Sequence, residues 1–172
     1  MNRQHHFYIA LTLCIVAGAF NSCKMTYSFT GASISPKAKT ISVQYFQNYA
    51  PLVNSSLSQT FTQKLKDKFL SQTNLNPVDR NGDLQFEGQI TDYSNTPTAI
   101  QGNQTAAQNR LTITVKVKFT NTVEDKLSFE TSFSKYADYP SNLSLASQEN
   151  TLVGTITDQL VQDIFNKAVV NW

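Results

Sequence analysis

Leu111-Thr112-Ile113-Thr114-Val115-Lys116-Val117-Lys118-Phe119-Thr120 alternates without a break, with five apolar residues on one side and three threonines and two lysines on the other. A period of two in β-branched and aromatic residues predicts a strand, and such strict alternation predicts a sheet covered on one face and open on the other. On the C-terminal side a turn at Glu124 to Lys126 leads into Leu127, Phe129 and Phe133, which carry the pattern on through Tyr136. On the N-terminal side Ser94 to Asn109, with Pro97 and Gly102, reads as a neutral polar loop or hairpin tip. Before it, Leu84 to Tyr93 forms another strand with Leu84, Phe86 and Ile90 on one face. Gly88 falls on that inward face and predicts a bulge or a close approach by a helix.

Further upstream, Asn81-Gly82 predicts a type I′ hairpin turn, since both central positions need positive φ. It would join a brief strand at Leu75 to Val78 to the strand beginning at Leu84. Ile41, Val43 and Tyr45 alternate with Ser42 and Gln44 and give one more strand. Between them Leu57, Phe61, Leu65 and Phe69 recur every four residues, an amphipathic helix with Lys64, Lys66, Asp67 and Lys68 around its solvated side. Ser56 and Gln59 have capping-box spacing, and Asn74 is placed to end the helix in a left-handed conformation. From Ser147 the period is helical again, with Val153, Ile156, Leu160, Ile164 and Ala168 in one stripe widened by Leu152, Val161, Phe165 and Val169. The expected fold is α+β: a mixed, mainly antiparallel sheet of four to five strands with two helices on one face, formed by residues 39–172 as a single domain.

The N-terminus carries a different signal. Arg3, His5 and His6 precede Phe7 to Phe20, an apolar run of 14 residues. That is short of the ~20 residues a transmembrane helix needs, and it suits a secretory signal over residues 1–22. The junction Phe20-Asn21-Ser22-Cys23 resembles a bacterial lipobox, in which the cysteine is acylated and becomes the new N-terminus. Residues 23–38 then read as a lipidated tether holding the domain to a membrane, and two or more acyl chains make such an anchor firm. Lys24 follows Cys23, so neither an aspartate retention signal nor an acidic export run is present, and a periplasm-facing outer-membrane anchor is expected. A plain cleaved signal with an incidental cysteine is the alternative.

Removal of residues 1–22 leaves 150 residues, with 13 basic against 12 acidic. Such a balance gives no electrostatic footprint for nucleic acid. Both histidines and Cys14 belong to the removed segment, so no disulfide, no imidazole base and no thiolate or imidazole metal site is expected. No glycine-rich phosphate loop is visible, and no cofactor is implied. A carboxylate-only hydrolase would have to use Glu87, Asp92 or Glu130, which read as solvated residues on polar strand faces.

Cys23 with Phe29-Thr30-Gly31, the segment Asn103-Gln104-Thr105-Ala106 leading into the strand at Leu111, and the approach Phe133 to Leu145 into the last helix together resemble the lipopolysaccharide-assembly lipoprotein family LptE. The resemblance implies a non-enzymatic outer-membrane lipoprotein that plugs and helps assemble the β-barrel of an LptD-like partner and assists lipopolysaccharide transfer to the cell surface. Basic residues tied to lipopolysaccharide binding in better-known members correspond here to Gln101 and Ser147. Lys116 and Lys118, with Lys135, are then the remaining candidates for phosphate contact. The competing reading is a lipid-anchored interaction module of another envelope complex.

Overall fold

In chain order the elements are β1 (Thr40–Val43), β2 (Gln47–Asn48), α1 (Leu57–Gln72), β3 (Asn76–Pro77), β4 (Leu84–Thr98), β5 (Gln108–Asn121), a single 3-10 turn (Asp125–Leu127), β6 (Phe129–Pro140) and α2 (Leu145–Val169). The computed structural model describes residues 34–52, 54–98 and 108–169. The expected signal segment 1–22, Cys23, residues 24–33 of the expected tether and Gln101 lie outside the described residues.

β5 is the centre of the molecule. Leu111, Ile113, Val115, Val117 and Phe119 are at most 1% exposed, while the residues between them face outward. Burying five such side chains stabilises the fold by about 1.5–3 kcal/mol each before entropy is counted. β4 and β6 flank β5 antiparallel along nearly its whole length, from Leu84↔Asn121 to Thr98↔Gln108 and from Phe119↔Phe129 to Gln108↔Pro140. The sheet order is β3-β1-β4-β5-β6, with β1 parallel to both its neighbours and β2 pairing with β4 in line with β1. Six strands therefore form the mixed sheet, where four to five were expected; the sixth arises because the first strand breaks in two.

That break has a packing cause. Three residues, Gln44 to Phe46, stand opposite two of β4, and the extra residue turns Phe46 into the core while leaving Tyr45 half exposed. Phe46 seats over Gly88, where an added Cβ would lie 2.6 Å from its Cε1 and 2.1 Å from the Lys116 carbonyl oxygen. Gly88 thus marks a close approach, but by an aromatic ring and the neighbouring strand instead of by a helix. A second bulge leaves Thr91 unpaired between Ile90 and Asp92, which moves the inward face of β4 from Leu84, Phe86 and Ile90 to Tyr93.

Asn81-Gly82 does not close a hairpin. Asn81 has φ 55, and the segment from Val78 to Asp83 crosses the outer side of β1, so β3 and β4 run parallel on either side of it. Gly82 is required by that crossing: a Cβ there would be 2.6 Å from the Ser42 nitrogen. Asp83 fastens it, accepting hydrogen bonds from Lys39 N–H at 2.7 Å and from Thr40 N–H and hydroxyl at 2.9 Å. Those bonds, the Lys39 one first, hold its carboxyl below the usual range.

Both helices lie on the inner face. Leu57, Phe61, Leu65 and Phe69 of α1 are fully buried, and Phe69 packs against Phe86 and against Phe165 of α2 at 4.7 and 5.0 Å between ring centres. α1 is not capped by a Ser56/Gln59 box. Instead the Asn54 side chain accepts from Ser56 N–H at 3.0 Å, because Ser56 already has helical dihedrals. Its other end is Thr73, in extended conformation, and not a left-handed Asn74. Two further expectations shift: Ser94 to Thr98 and Gln108 to Asn109 extend β4 and β5 where a loop was expected, and Leu127 sits in the 3-10 turn ahead of β6. Pro97 is tolerated because β4 has no partner on its other edge beyond Ile90 among the described residues.

Candidate functional site

The register of β4, β5 and β6 determines what shares the outer face. Glu87, Lys118 and Glu130 form one cross-strand row and Gln89, Lys116 and Ser132 the next. Beyond them come Asp92, Thr114 and Ser134, then Ser94, Thr112 and Tyr136, then Thr96, Arg110 and Asp138. Among the described residues no helix covers these rows, since both helices pack on the inner face. The hydroxyls partly satisfy one another, as Thr114 does by donating to Ser134 at 2.9 Å.

Charges on this face are paired within it. Lys116 reaches Glu130 at 2.6 Å and Lys118 reaches Glu87 at 3.7 Å, with about half of each side chain exposed. The Lys116 hydrogen bond draws the Glu130 carboxyl below its usual range. Arg110 grips Asp138 through two bonds of 2.7 and 2.9 Å while its guanidinium lies 3.6 Å over the Tyr136 ring. That bond, more than simple attraction, holds Asp138 low. The Arg110, Asp138 and Tyr136 cluster was not foreseen, and only the pairing of β5 with β6 would have revealed it.

The structure brings Lys116 and Lys118 together but separates them from the other expected contacts. Lys135 pairs across to Ile113, so it points to the helix side and bonds Asp163 of α2 at 2.7 Å; grouping it with the two outer lysines was incorrect. Ser147 lies exposed in the first turn of α2, with its hydroxyl donating 2.7 Å to the Ser144 carbonyl. It therefore belongs to the helix layer, across the sheet from the lysines.

Glu87, Asp92 and Glu130 do not make an acid/base pair. Glu87 and Glu130 face lysines, and Asp92 accepts from the Ser94 hydroxyl at 2.9 Å. Lys116 holds the Glu130 carboxyl low, the opposite of what a general acid requires. Among the described residues no cluster of three or more His, Cys, Asp or Glu side chains is placed to hold a metal. The concave feature on the helix side is an open groove of about 420 Å³ between α1 and α2, where Lys64 bonds Asp158 at 2.5 Å.

One polar cluster is structural. Tyr93, 3% exposed, donates its hydroxyl to Glu149 of α2. Burial first, then the bond to Glu149, pushes the Tyr93 phenol well above its ordinary value, while the Tyr93 bond lowers the Glu149 carboxyl. The pair ties the start of α2 onto β4.

With that arrangement in hand, comparison with known families is decisive. The LptE lipopolysaccharide-assembly model matches residues 38–168. The chain belongs to the LptE family. Its members are not enzymes. The role of this LptE-family chain is therefore in lipopolysaccharide assembly.

No curated protein matches the sequence significantly. Among solved structures, lipoprotein B from Nitrosomonas europaea is similar at 12% identity with a TM-score of 0.50, covering 79% of this chain and 83% of that one. A minor lipoprotein from Acinetobacter baumannii is similar at 15% identity and TM-score 0.45, over 76% and 91% of the two chains. Rare lipoprotein B from Shewanella oneidensis follows at 12% identity and 0.44, over 75% and 90%. At these identities the first of the three supports the fold alone.

Proposed function

We propose that this LptE-family protein is anchored to the outer membrane through acylated Cys23, faces the periplasm, and plugs and helps assemble an LptD-like β-barrel that delivers lipopolysaccharide to the surface. The observation that carries the reading is the family match, which runs from the start of β1 to the last turn of α2 and so includes every element of the fold. The surface chemistry supports it: only 15% of the chain is charged, and on the open sheet face Ser, Thr and Gln alternate with charges of which Lys116, Lys118 and Arg110 are each paired with a carboxylate. Such a face loses less on desolvation inside a partner than one of unpaired Lys and Glu.

Ser147, Gln101, Lys116 and Lys118 are the proposed points of contact with lipopolysaccharide or the barrel. For the lysines, a lipid phosphate must exchange with Glu130 and Glu87, so contact there is competitive and weakened by salt. Replacing both lysines by alanine is expected to reduce lipopolysaccharide affinity; unchanged affinity rejects phosphate contact at these positions. The reading as a whole is tested by purifying the full-length protein from outer membranes. Co-purification of a large β-barrel and an acyl mass increment on Cys23 are expected, and the absence of any barrel contradicts it.

A further inference from the structure

β6 is the last strand of the sheet, and among the described residues nothing pairs with its other edge. The hydrogen bonds of β5 fix which backbone groups lie there. The Asn121 N–H bonds the Ser128 hydroxyl on the β6 side, while the Thr114 carbonyl accepts from Thr91 on the β4 side. Backbone groups alternate sides along a strand, so the odd residues of β5 bond β6 and the even ones bond β4. Odd residues of β5 pair with odd residues of β6. The N–H and carbonyl groups of Glu130, Ser132, Ser134, Tyr136 and Asp138 therefore point away from the sheet, and all five residues are exposed. Such a row is a template for another strand.

A second copy of β6 fits this template. Laid antiparallel about Phe133, it sets Ser132 against Ser134 and Glu130 against Tyr136 on the outer face. On the inner face it sets Phe133 against Phe133 and Lys135 against Thr131, with no like charges directly opposed. One side chain stands against this union. The inward row of Phe129, Thr131, Phe133, Lys135, Ala137 and Tyr139 carries a single charge, Lys135, near the middle of the strand. Asp163 of α2 holds it at 2.7 Å, and the two side chains stay 34% and 43% exposed. A strand added at the edge covers that rim and strips water from both ions, which is how an inward charge guards a sheet edge. Glu130 and Asp138 protect less, since Lys116 and Arg110 already neutralise them.

We propose that the open edge of β6 is a self-pairing edge, and that Lys135, pinned by Asp163, keeps it from joining the same edge of a second copy. The guard holds the chain single whether or not it enters a barrel.

The test compares the full-length lipoprotein, expressed alone and solubilised in detergent, with Lys135→Thr, Lys135→Arg and Lys135→Thr/Ser132→Pro. Self-association is read by sedimentation equilibrium, and folding by urea unfolding. Lys135→Thr is expected to dimerise at least about tenfold more tightly than wild type, and Lys135→Arg no more tightly than wild type. Ser132→Pro removes an outward N–H and leaves the β5 to β6 ladder whole, so it is expected to return Lys135→Thr to the single chain. Lys135→Gln takes the place of Lys135→Thr if the latter does not unfold cooperatively. Unchanged association of Lys135→Thr, equal association of Lys135→Arg, dimers that survive Ser132→Pro, or a wild-type dimer that Ser132→Pro dissolves each overturn the proposal.

Discussion

β5 puts two unlike surfaces on one backbone. Its inward row, Leu111 to Phe119, is buried on the helix side, and its outward row of threonines and lysines lies, among the described residues, beside neighbouring strands with no helix over it. The inward row depends on shape, since Phe119 stacks on Phe86 at 4.7 Å and Phe86 on Phe69 at the same distance. The outward row depends on cross-strand pairs that solvent weakens. Packing and solvated cross-strand pairing therefore reside on opposite sides of the same strands, and substitutions on the two sides must have different consequences for stability.

The largest effect is expected inside. Phe86→Ala removes a fully buried ring from the aromatic stack and should cost about 3–5 kcal/mol in urea unfolding. Thr114→Ala, on the other face, should stay within about 0.5 kcal/mol. Tyr93→Phe comes next, at about 1.5–3 kcal/mol, because it deprives the Glu149 carboxylate of a donor. Its pH dependence is specific. Glu149 is lowered in the folded state, so its contribution is present above its ordinary 4.5 and is lost as pH falls through the folded value. Tyr93 is raised, so its contribution is present below its ordinary 10.0 and fades above it. The gap between wild type and Tyr93→Phe should be widest between those limits and should narrow at pH 3 by the same unfolding assay.

At the entry to α1, Asn54→Ala should cost about 1–2 kcal/mol and Ser56→Ala only a few tenths, since Asn54 supplies the cap. Equal costs would restore the capping box. Smallest of all, Lys116→Ala and Lys118→Ala should each change stability by less than about 0.5 kcal/mol, the range of exposed ion pairs. A larger loss would mean that the outer face supports the fold and would erase the contrast.

The parts of this contrast that were legible from sequence are those set by local period. β5, the stripe of α1 and the stripe of α2 all lie where their spacing places them, because one buried face dictates each pattern. What was missed depends on partners distant in the chain. The phase change at Thr91 shows in the sequence only as Ile90 and Tyr93 standing three apart, and the Phe46 bulge exists because Gly88 offers a seat 42 residues on. Asn81-Gly82 has hairpin chemistry, yet β1 occupies the place beside β4 that β3 would need. Of the candidate contacts, the lysine pair was visible in the alternation. The opposite facing of Lys135 and the Arg110 cluster followed only once the β5 to β6 register was known.

The most direct test introduces a bulky charge on the outer face, proposed above to contact the barrel or lipopolysaccharide, and measures stability and partner recovery on one protein. Ser134→Arg is exposed and lies in the row of Thr114 and Asp92. The account predicts an unfolding midpoint in urea close to that of wild type, together with loss of the co-purifying barrel by at least about tenfold, the cost of desolvating an added charge at an interface. Undiminished barrel recovery, or a loss no greater than the fall in stability explains, would contradict it.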